Sequence, residues 1–166
     1  MDVVGEAATQ LGDDGSLFAS LYDDLRRFAA VVGWPDHDPD DLIQEAVARA
    51  LRHGPLVRLE NPGAYLRTAI VRLASNGWRG RLTRDDAHRR LAASDTGEVV
   101  DAYPSDLDEL RRLDARDRAL LYLSVVERRP YAEIAALLGM AEPAARKRSS
   151  RALARLRREL TIQEAE

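Results

Sequence analysis

The chain has 166 residues and no cysteine, which excludes disulfides, thiolate metal sites and thiol redox chemistry within it. Lys147 is its single lysine, so arginine carries almost all of the positive charge. Aromatic residues make up only 5% against 45% hydrophobic residues; with many alanines and leucines, this balance favours packed helices over sheets. No apolar run approaches the roughly 18 residues of a membrane helix, and no signal-like apolar segment follows Met1. A soluble, cytoplasmic protein is expected. His37, His53 and His88 lie far apart without ligand spacing and read as surface residues. With no nucleophile constellation and no glycine-rich phosphate loop either, no catalytic centre, cofactor or metal is expected.

What is present is an uneven distribution of charge. The net charge of −3 hides acids crowded into the first third and the stretch from Asp95 to Asp117. Bases dominate two islands, Arg67 to Arg90 and Arg146 to Arg158. Approach to a polyanion follows the local field rather than the total. Two basic islands on acidic ground suggest two nucleic-acid contacts and a separate protein-facing surface.

Residues 1–15 mix glycine, aspartate and small residues without a sustained period and are expected to be a loose tail. From Ser16, Leu17, Leu21, Leu25 and Phe28 fall at helical spacing up to Gly33. Asp38 and Pro39 then give an aspartate cap and a proline start, with Asp40 and Asp41 at the positive end of the helix dipole. That helix, to about His53, is expected to bury Leu42, Ile43, Ala46, Val47, Ala50 and Leu51. Asn61-Pro62 starts a third helix, to about Arg81, whose apolar side holds Leu66, Ala69, Ile70 and Leu73. Tyr65, Thr68, Arg72, Asn76 and Arg79 share another side at spacings of three and four. An aromatic ring, a hydroxyl, an amide and two guanidiniums on one strip suit phosphates, base edges and stacking on an unpaired base; a solvated amphipathic face is the plain alternative.

Residues 83–104 lose the pattern and read as a linker, with a short helix possible within Arg84 to Ala92. Two helices then fit, Ser105 to about Leu113 and Arg116 to Glu127. Tyr131 to Leu160 reads as a short helix, a glycine turn at Gly139 and a longer helix opening near Pro143. Ile134, Leu138, Met140, Ala145, Ala152 and Leu156 can face one small core. Arg146, Lys147, Arg148 and Arg151 lie on a basic outer surface. A helix-turn-helix with a cationic second helix suits a major groove. An ordinary helical hairpin with a solvated arginine face is the bland reading.

Taken together these stretches resemble bacterial RNA polymerase sigma factors of the extracytoplasmic-function group. The marks are LYDDLRRFA, then DPDDLIQEAVARAL with its Asp41, Leu42, Gln44 and Glu45 core, NPGAYLRTAIVRLASNGWRGR, YAEIAALLG and SRALARLRREL. The resemblance implies an all-α chain of two small helical domains joined by a flexible linker: a tail at 1–15, sigma domain two at 16–82, a linker at 83–104, sigma domain four with its helix-turn-helix at 105–160, and a tail at 161–166. It implies that Asp41, Gln44 and Glu45 bind the polymerase core. Tyr65, Arg72, Asn76 and Arg79 would bind the −10 element, and Arg146, Lys147, Arg148 and Arg151 the −35 element. The implied partners are RNA polymerase core, promoter DNA and an anti-sigma factor.

The chain departs from the family pattern at Ala141 to Ala145, where a polar helix-entry residue is usual, and at Ser149, where a leucine is common. Arg72 and Asn76 stand where an Asn and an Asp are common. Promoter sequence therefore does not transfer from relatives. Two other classes remain open: a helix-turn-helix regulator that binds duplex DNA without polymerase core, and a helical interaction protein with no DNA role.

Overall fold

The structure, a computed structural model, describes residues 3–34, 38–89, 110 and 112–163, with side chains over 12–34, 38–77, 110 and 112–158. Helix α1 (Val3–Val32) begins well before the expected Ser16. The loose tail anticipated over 1–15 is therefore helical from Val3 on. One physical reason sits at Asp14, which is buried and whose Oδ1 accepts from the Val57 backbone N–H at 2.9 Å. That bond ties the early part of α1 to a 3-10 turn, Leu56–Arg58. Gly12 and Gly15 have open space beside them, so neither marks a close approach. The helix stops where expected, at Gly33. Its N–H donates to the Ala29 carbonyl at 2.7 Å, and a Cβ there would lie 2.7 Å from both that oxygen and Leu42 Cδ1.

Helix α2 (Pro39–Leu51) starts as its sequence predicts: the Asp38 carboxylate accepts from the Asp40 N–H, and proline opens the first turn. It buries Leu42, Ile43, Ala46 and Ala50. Leu51, expected in the core, is 45% exposed. It lies about 100° around the helix from Ala50, off the packed face, and the helix ends there. Asn61 Oδ1 accepts from the Ala64 N–H at 2.9 Å, the anticipated cap of helix α3 (Pro62–Arg89). This helix runs past the expected Arg81 into the start of the stretch read as linker, since Leu82 to Arg89 contains neither glycine nor proline. The rest of that stretch, most of the helix expected from Ser105, and residues 164–166 of the expected tail lie outside the described residues, while 161–163 of that tail continue the last helix. In this half Leu25, Phe28, Ala29, Val32, Ile43, Leu66 and Ile70 form the core.

Helix α4 (Ala115–Leu121) is capped by Asp114, whose carboxylate accepts from the Asp117 N–H at 2.8 Å. It continues as a wider, π-type turn over Tyr122–Val126. Helix α5 (Tyr131–Leu138) ends at Gly139, whose φ of 64° is the left-handed conformation that glycine adopts without penalty. The Met140 N–H donates to Ala135 O and the Gly139 N–H to Ala136 O, the paired bonds of a Schellman cap. Helix α6 (Glu142–Gln163) follows, and the expected helix-turn-helix is present. Ile134, Leu138, Ala145 and Ala152 are buried in its core, with Met140 and Leu156 packed at the edge. Ser149 is also buried and accepts from the Tyr131 hydroxyl at 2.9 Å, so hydrogen bonding replaces the apolar volume a leucine would supply.

The two halves, α1–α3 and α4–α6, pack along a seam. Arg118 of α4 is 1% exposed. It donates to Leu113 O at 2.7 Å in its own half, and to Val32 O and Gly33 O of the other half at 2.7 and 3.1 Å. Its guanidinium lies 5.0 Å over the Trp34 ring. Phe28 and Tyr122 meet edge to face, with ring centroids 5.5 Å apart. Among the described residues the chain is helical with no strand, as the all-α expectation required.

If the early part of α1 is docked as described, Asp14→Ala leaves the Val57 N–H without its acceptor and costs about 1–3 kcal/mol. In a chain of this size that is a fall in melting temperature of about 2–12 °C. An unchanged melting temperature by circular dichroism would show that the helix is not held at this point.

Candidate nucleic-acid interface

Helices α2 and α3 frame an open cleft of about 450 Å³ lined by Arg49, Arg52, His53, Tyr65, Thr68, Ala69 and Arg72. Two of the residues expected to bind a −10 strand, Tyr65 and Arg72, are brought together here. Tyr65 is 37% exposed, so its ring is available to a stacked base. Asn76 is exposed further along α3. Arg79 lies on the same helix, but its side chain is outside the described residues. The cleft adds three residues that the sequence reading left as plain surface: Arg49, Arg52 and His53. They are three and four apart at the end of α2, a spacing that already placed them on one face.

The expected core-binding residues Asp41, Gln44 and Glu45 are all exposed on α2. Their neighbour Asp40 has an internal duty. It accepts from the Tyr22 hydroxyl at 2.8 Å and pairs with Arg26 at 3.4 Å; the hydrogen bond to Asp40 holds the Tyr22 phenol above its ordinary pKa. Glu45 pairs with Arg49 one turn on, at 2.6 Å, and this hydrogen bond draws its carboxyl below the usual range. One ion pair thus joins the acidic face to the cleft.

On α6, Arg146, Lys147 and Arg151 are exposed. Arg146 is held by Glu142, at 2.7 Å from Nη2 and 3.0 Å from Nε, and lies 4.8 Å over the Tyr131 ring. Lys147 and Arg151 stand one helical turn apart. Arg148 behaves differently. It is half-buried, and its guanidinium bonds Asp114 Oδ2 at 2.5 Å through Nη2 and Asp117 through Nε. Burial pushes the Asp117 carboxyl up, against the pull of Arg148. Burial would lower Arg148, but the two carboxylates outweigh it and hold the guanidinium more firmly protonated than usual. The sequence carried a signal for this: Arg148 lies three residues after Ala145 and four before Ala152, both buried, and so on the inward side of α6.

Among the described residues no group of acidic, histidine or cysteine side chains could hold a metal ion, and no helix is long and apolar enough to cross a membrane.

Two family models match the chain, Sigma-70 region 2 over residues 17–83 and Sigma-70 region 4 over residues 107–156. The first covers the half that holds the cleft and the second the half that holds the helix-turn-helix. The chain is 29% identical over 133 residues to the RNA polymerase sigma-E factor of Streptomyces coelicolor, covering 76% of this chain and 74% of that one. It is 28% identical over 127 residues to the sigma-E factor of Streptomyces avermitilis, covering 74% and 71%. Its fold matches that of the sigma factor RpoE of Bartonella quintana, solved in complex with the anti-sigma factor NepR, with a TM-score of 0.68 and 22% identity over 90% of this chain and 98% of that chain. With both sigma regions present in order on one chain, each on its own helical half, the protein belongs to the sigma-70 family of RNA polymerase sigma factors, in its extracytoplasmic-function group.

Proposed function

We propose that this sigma factor, which binds RNA polymerase core and directs initiation at promoters, divides that work among three surfaces. Asp41, Gln44 and Glu45 dock on the core enzyme. Tyr65, Arg72, Asn76 and Arg79, joined by Arg49, Arg52 and His53, hold the −10 strand in and beside the α2–α3 cleft. Arg146, Lys147 and Arg151 address the −35 duplex. The observation that carries this division is the cleft: it gathers an exposed tyrosine ring and three guanidiniums between two helices. That chemistry suits an unstacked base and its flanking phosphates.

Arg148 was expected on the DNA surface. Its bonds to Asp114 and Asp117 support a different part, a brace that fixes α6 on α4 so that the other three side chains are aimed. The chain itself carries out no chemistry in this reading, which belongs to the polymerase, and it works in the cytoplasm. An anti-sigma partner is also proposed, supported by the fold shared with RpoE, which was solved with one. A duplex-binding regulator that ignores polymerase is not favoured, because the region 2 half would then have no role.

Run-off transcription with core polymerase tests the whole reading: product should require this chain and a promoter with two separated elements. Replacing Asp41 and Glu45 by lysine should weaken core binding at least tenfold, about 1.4 kcal/mol or more. A pull-down titration with unchanged affinity would reject that surface. Tyr65→Ala should weaken binding of a −10 single strand by about 1–3 kcal/mol, the worth of one stacked base, while duplex binding stays the same.

Salt dependence separates the α6 residues. Arg146→Ala, Lys147→Ala and Arg151→Ala should each reduce the salt slope of −35 duplex binding by about 1 where the residue contacts a phosphate. Arg148→Ala should instead lower the melting temperature and leave the slope unchanged; a lost phosphate contact on that variant would return Arg148 to the DNA surface.

A further inference from the structure

Helix α3 carries the strip assigned to the −10 strand, and its inner side shows where the helix is fixed. Leu66, Arg67, Ile70, Val71 and Ala74 are buried, and Ala74 is the last of this row among the residues whose side chains are described. Tyr65, Arg72 and Asn76 lie on the other side of the helix. The buried row backs Tyr65 and Arg72. Asn76 stands past its end, and behind it lies the ring of Trp34. This residue is 8% exposed and donates its Nε1–H to Ala74 O at 3.0 Å. Three residues on, a Cβ at Gly77 would lie 3.3 Å from Trp34 Nε1 and 3.6 Å from Cδ1. The indole therefore meets the backbone of α3 at Ala74 and again at Gly77, and Asn76 lies between these two points.

A glycine inside a helix costs stability relative to alanine, so Gly77 calls for a local reason, and the close approach of the ring supplies one. The ring is itself held. The Arg118 guanidinium lies 5.0 Å over it and donates to the carbonyls of Val32 and Gly33, the two residues before it. An apolar contact is non-directional, whereas an N–H on a carbonyl fixes direction as well as distance. The indole bond thus sets how far α3 is turned and shifted where the buried row ends. We propose that Trp34 is a positioning residue for −10 recognition: by holding α3 at Ala74 and Gly77 it aims Asn76 at the strand that Tyr65 and Arg72 receive in the cleft. Trp34, being buried, meets no DNA in this role. Tyr65, at the start of the strip and backed by the core, does not depend on it. The proposal rests on the assignment of the strip to the −10 strand.

Double-mutant cycles on holoenzyme, assembled from core polymerase and this chain, test the role. Binding is read by fluorescence anisotropy of a labelled single-stranded oligonucleotide that carries the −10 element of a promoter giving run-off product. Trp34→Phe keeps a ring beneath Arg118 and removes the N–H that meets Ala74. It should weaken oligonucleotide binding about fivefold, the worth of one hydrogen bond. Asn76→Ala should cost about fivefold in the wild-type chain and less than about twofold beside Trp34→Phe, because a misaimed amide has little left to lose. Tyr65→Ala should cost the same with or without Trp34→Phe. A ring that only kept the half folded would depress both contacts alike, so the two cycles separate aim from stability. Equal costs for Asn76→Ala in the two backgrounds would overturn the proposal, and so would coupling of Tyr65 as strong as that of Asn76. If Trp34→Phe does not fold, Gly77→Ala takes its place in both cycles: alanine favours the helix, and its methyl disturbs the same contact from the other side. The −10 reading itself falls if neither Tyr65→Ala nor Asn76→Ala alters binding in the wild-type chain. A loss at Tyr65 with none at Asn76 leaves Trp34 nothing to aim and sinks only its positioning role.

Discussion

A single buried guanidinium organises the meeting of the two halves. An arginine with 1% exposure is costly unless its charge and its N–H groups are met. The two Nη groups of Arg118 answer this demand with carbonyls from both halves, Nη1 on Leu113 and Nη2 on Val32 and Gly33. Val32 is the last residue of α1, where carbonyls have no partner within the helix and the dipole is negative. Arg118 thus acts as a C-terminal cap supplied from another helix. Its plane also covers Trp34, whose Nε1 donates to Ala74 O of α3 at 3.0 Å. Through one side chain the end of α1, the start of α4 and the middle of α3 are set relative to each other. A lysine could offer its charge but not a planar fork to three carbonyl groups and a ring.

The same residue type serves inside and outside, and this resolves the apparent conflict between a net charge of −3 and a DNA-binding role. Arg67, Arg118 and Arg148 are turned inward, and the two of these that face carboxylates are matched by Glu127, Asp114 and Asp117. On the acidic side, Asp14 and Asp38 are engaged by backbone N–H groups and Asp40 by Tyr22 and Arg26. A good share of the acid therefore answers internal needs. What faces solvent on the α2–α3 cleft and on α6 is predominantly guanidinium, and the local field there is set by those groups.

Local features were legible in the sequence because their causes are local. The caps at Asp38 and Asn61 act on N–H groups two or three residues away, and Gly139 needs only its own backbone freedom. The strip of Tyr65 and Arg72 followed from helical periodicity alone. The seam was not legible, for the opposite reason. Arg67 reaches a partner 60 residues on, and Arg118 one 86 residues back; no window of sequence holds both ends. The early start of α1 was missed on the same ground, since Asp14 is secured by Val57, 43 residues away, while the glycines around it read as a tail. Arg148 is intermediate: it was read on the outer surface although its register between Ala145 and Ala152 pointed inward, and its carboxylate partners come from another helix.

The link between α4 and the helix-turn-helix shows how closely the seam and the DNA-reading half are bound together. The π-type turn over Tyr122–Val126 widens the end of α4 and leaves Val125 and Val126 58% and 62% exposed. The Glu127 N–H then donates back to Tyr122 O, and the Arg129 N–H to Leu123 O. Between them Arg128 takes a φ of 52°, a left-handed conformation that costs a residue with a Cβ roughly 1–2 kcal/mol. That strain persists because its neighbours are held: Glu127 by Arg67 and Arg129, Arg129 by Glu127 and Glu133. Glu133 is already in the first turn of α5. The carboxylate at the seam is thus two residues from the backbone N–H that anchors the link and two ion pairs, shared by Arg129, from the helix-turn-helix. A change at Glu127 therefore acts on the seat of α5 as well as on the seam, and the strained turn is the element through which the two are joined.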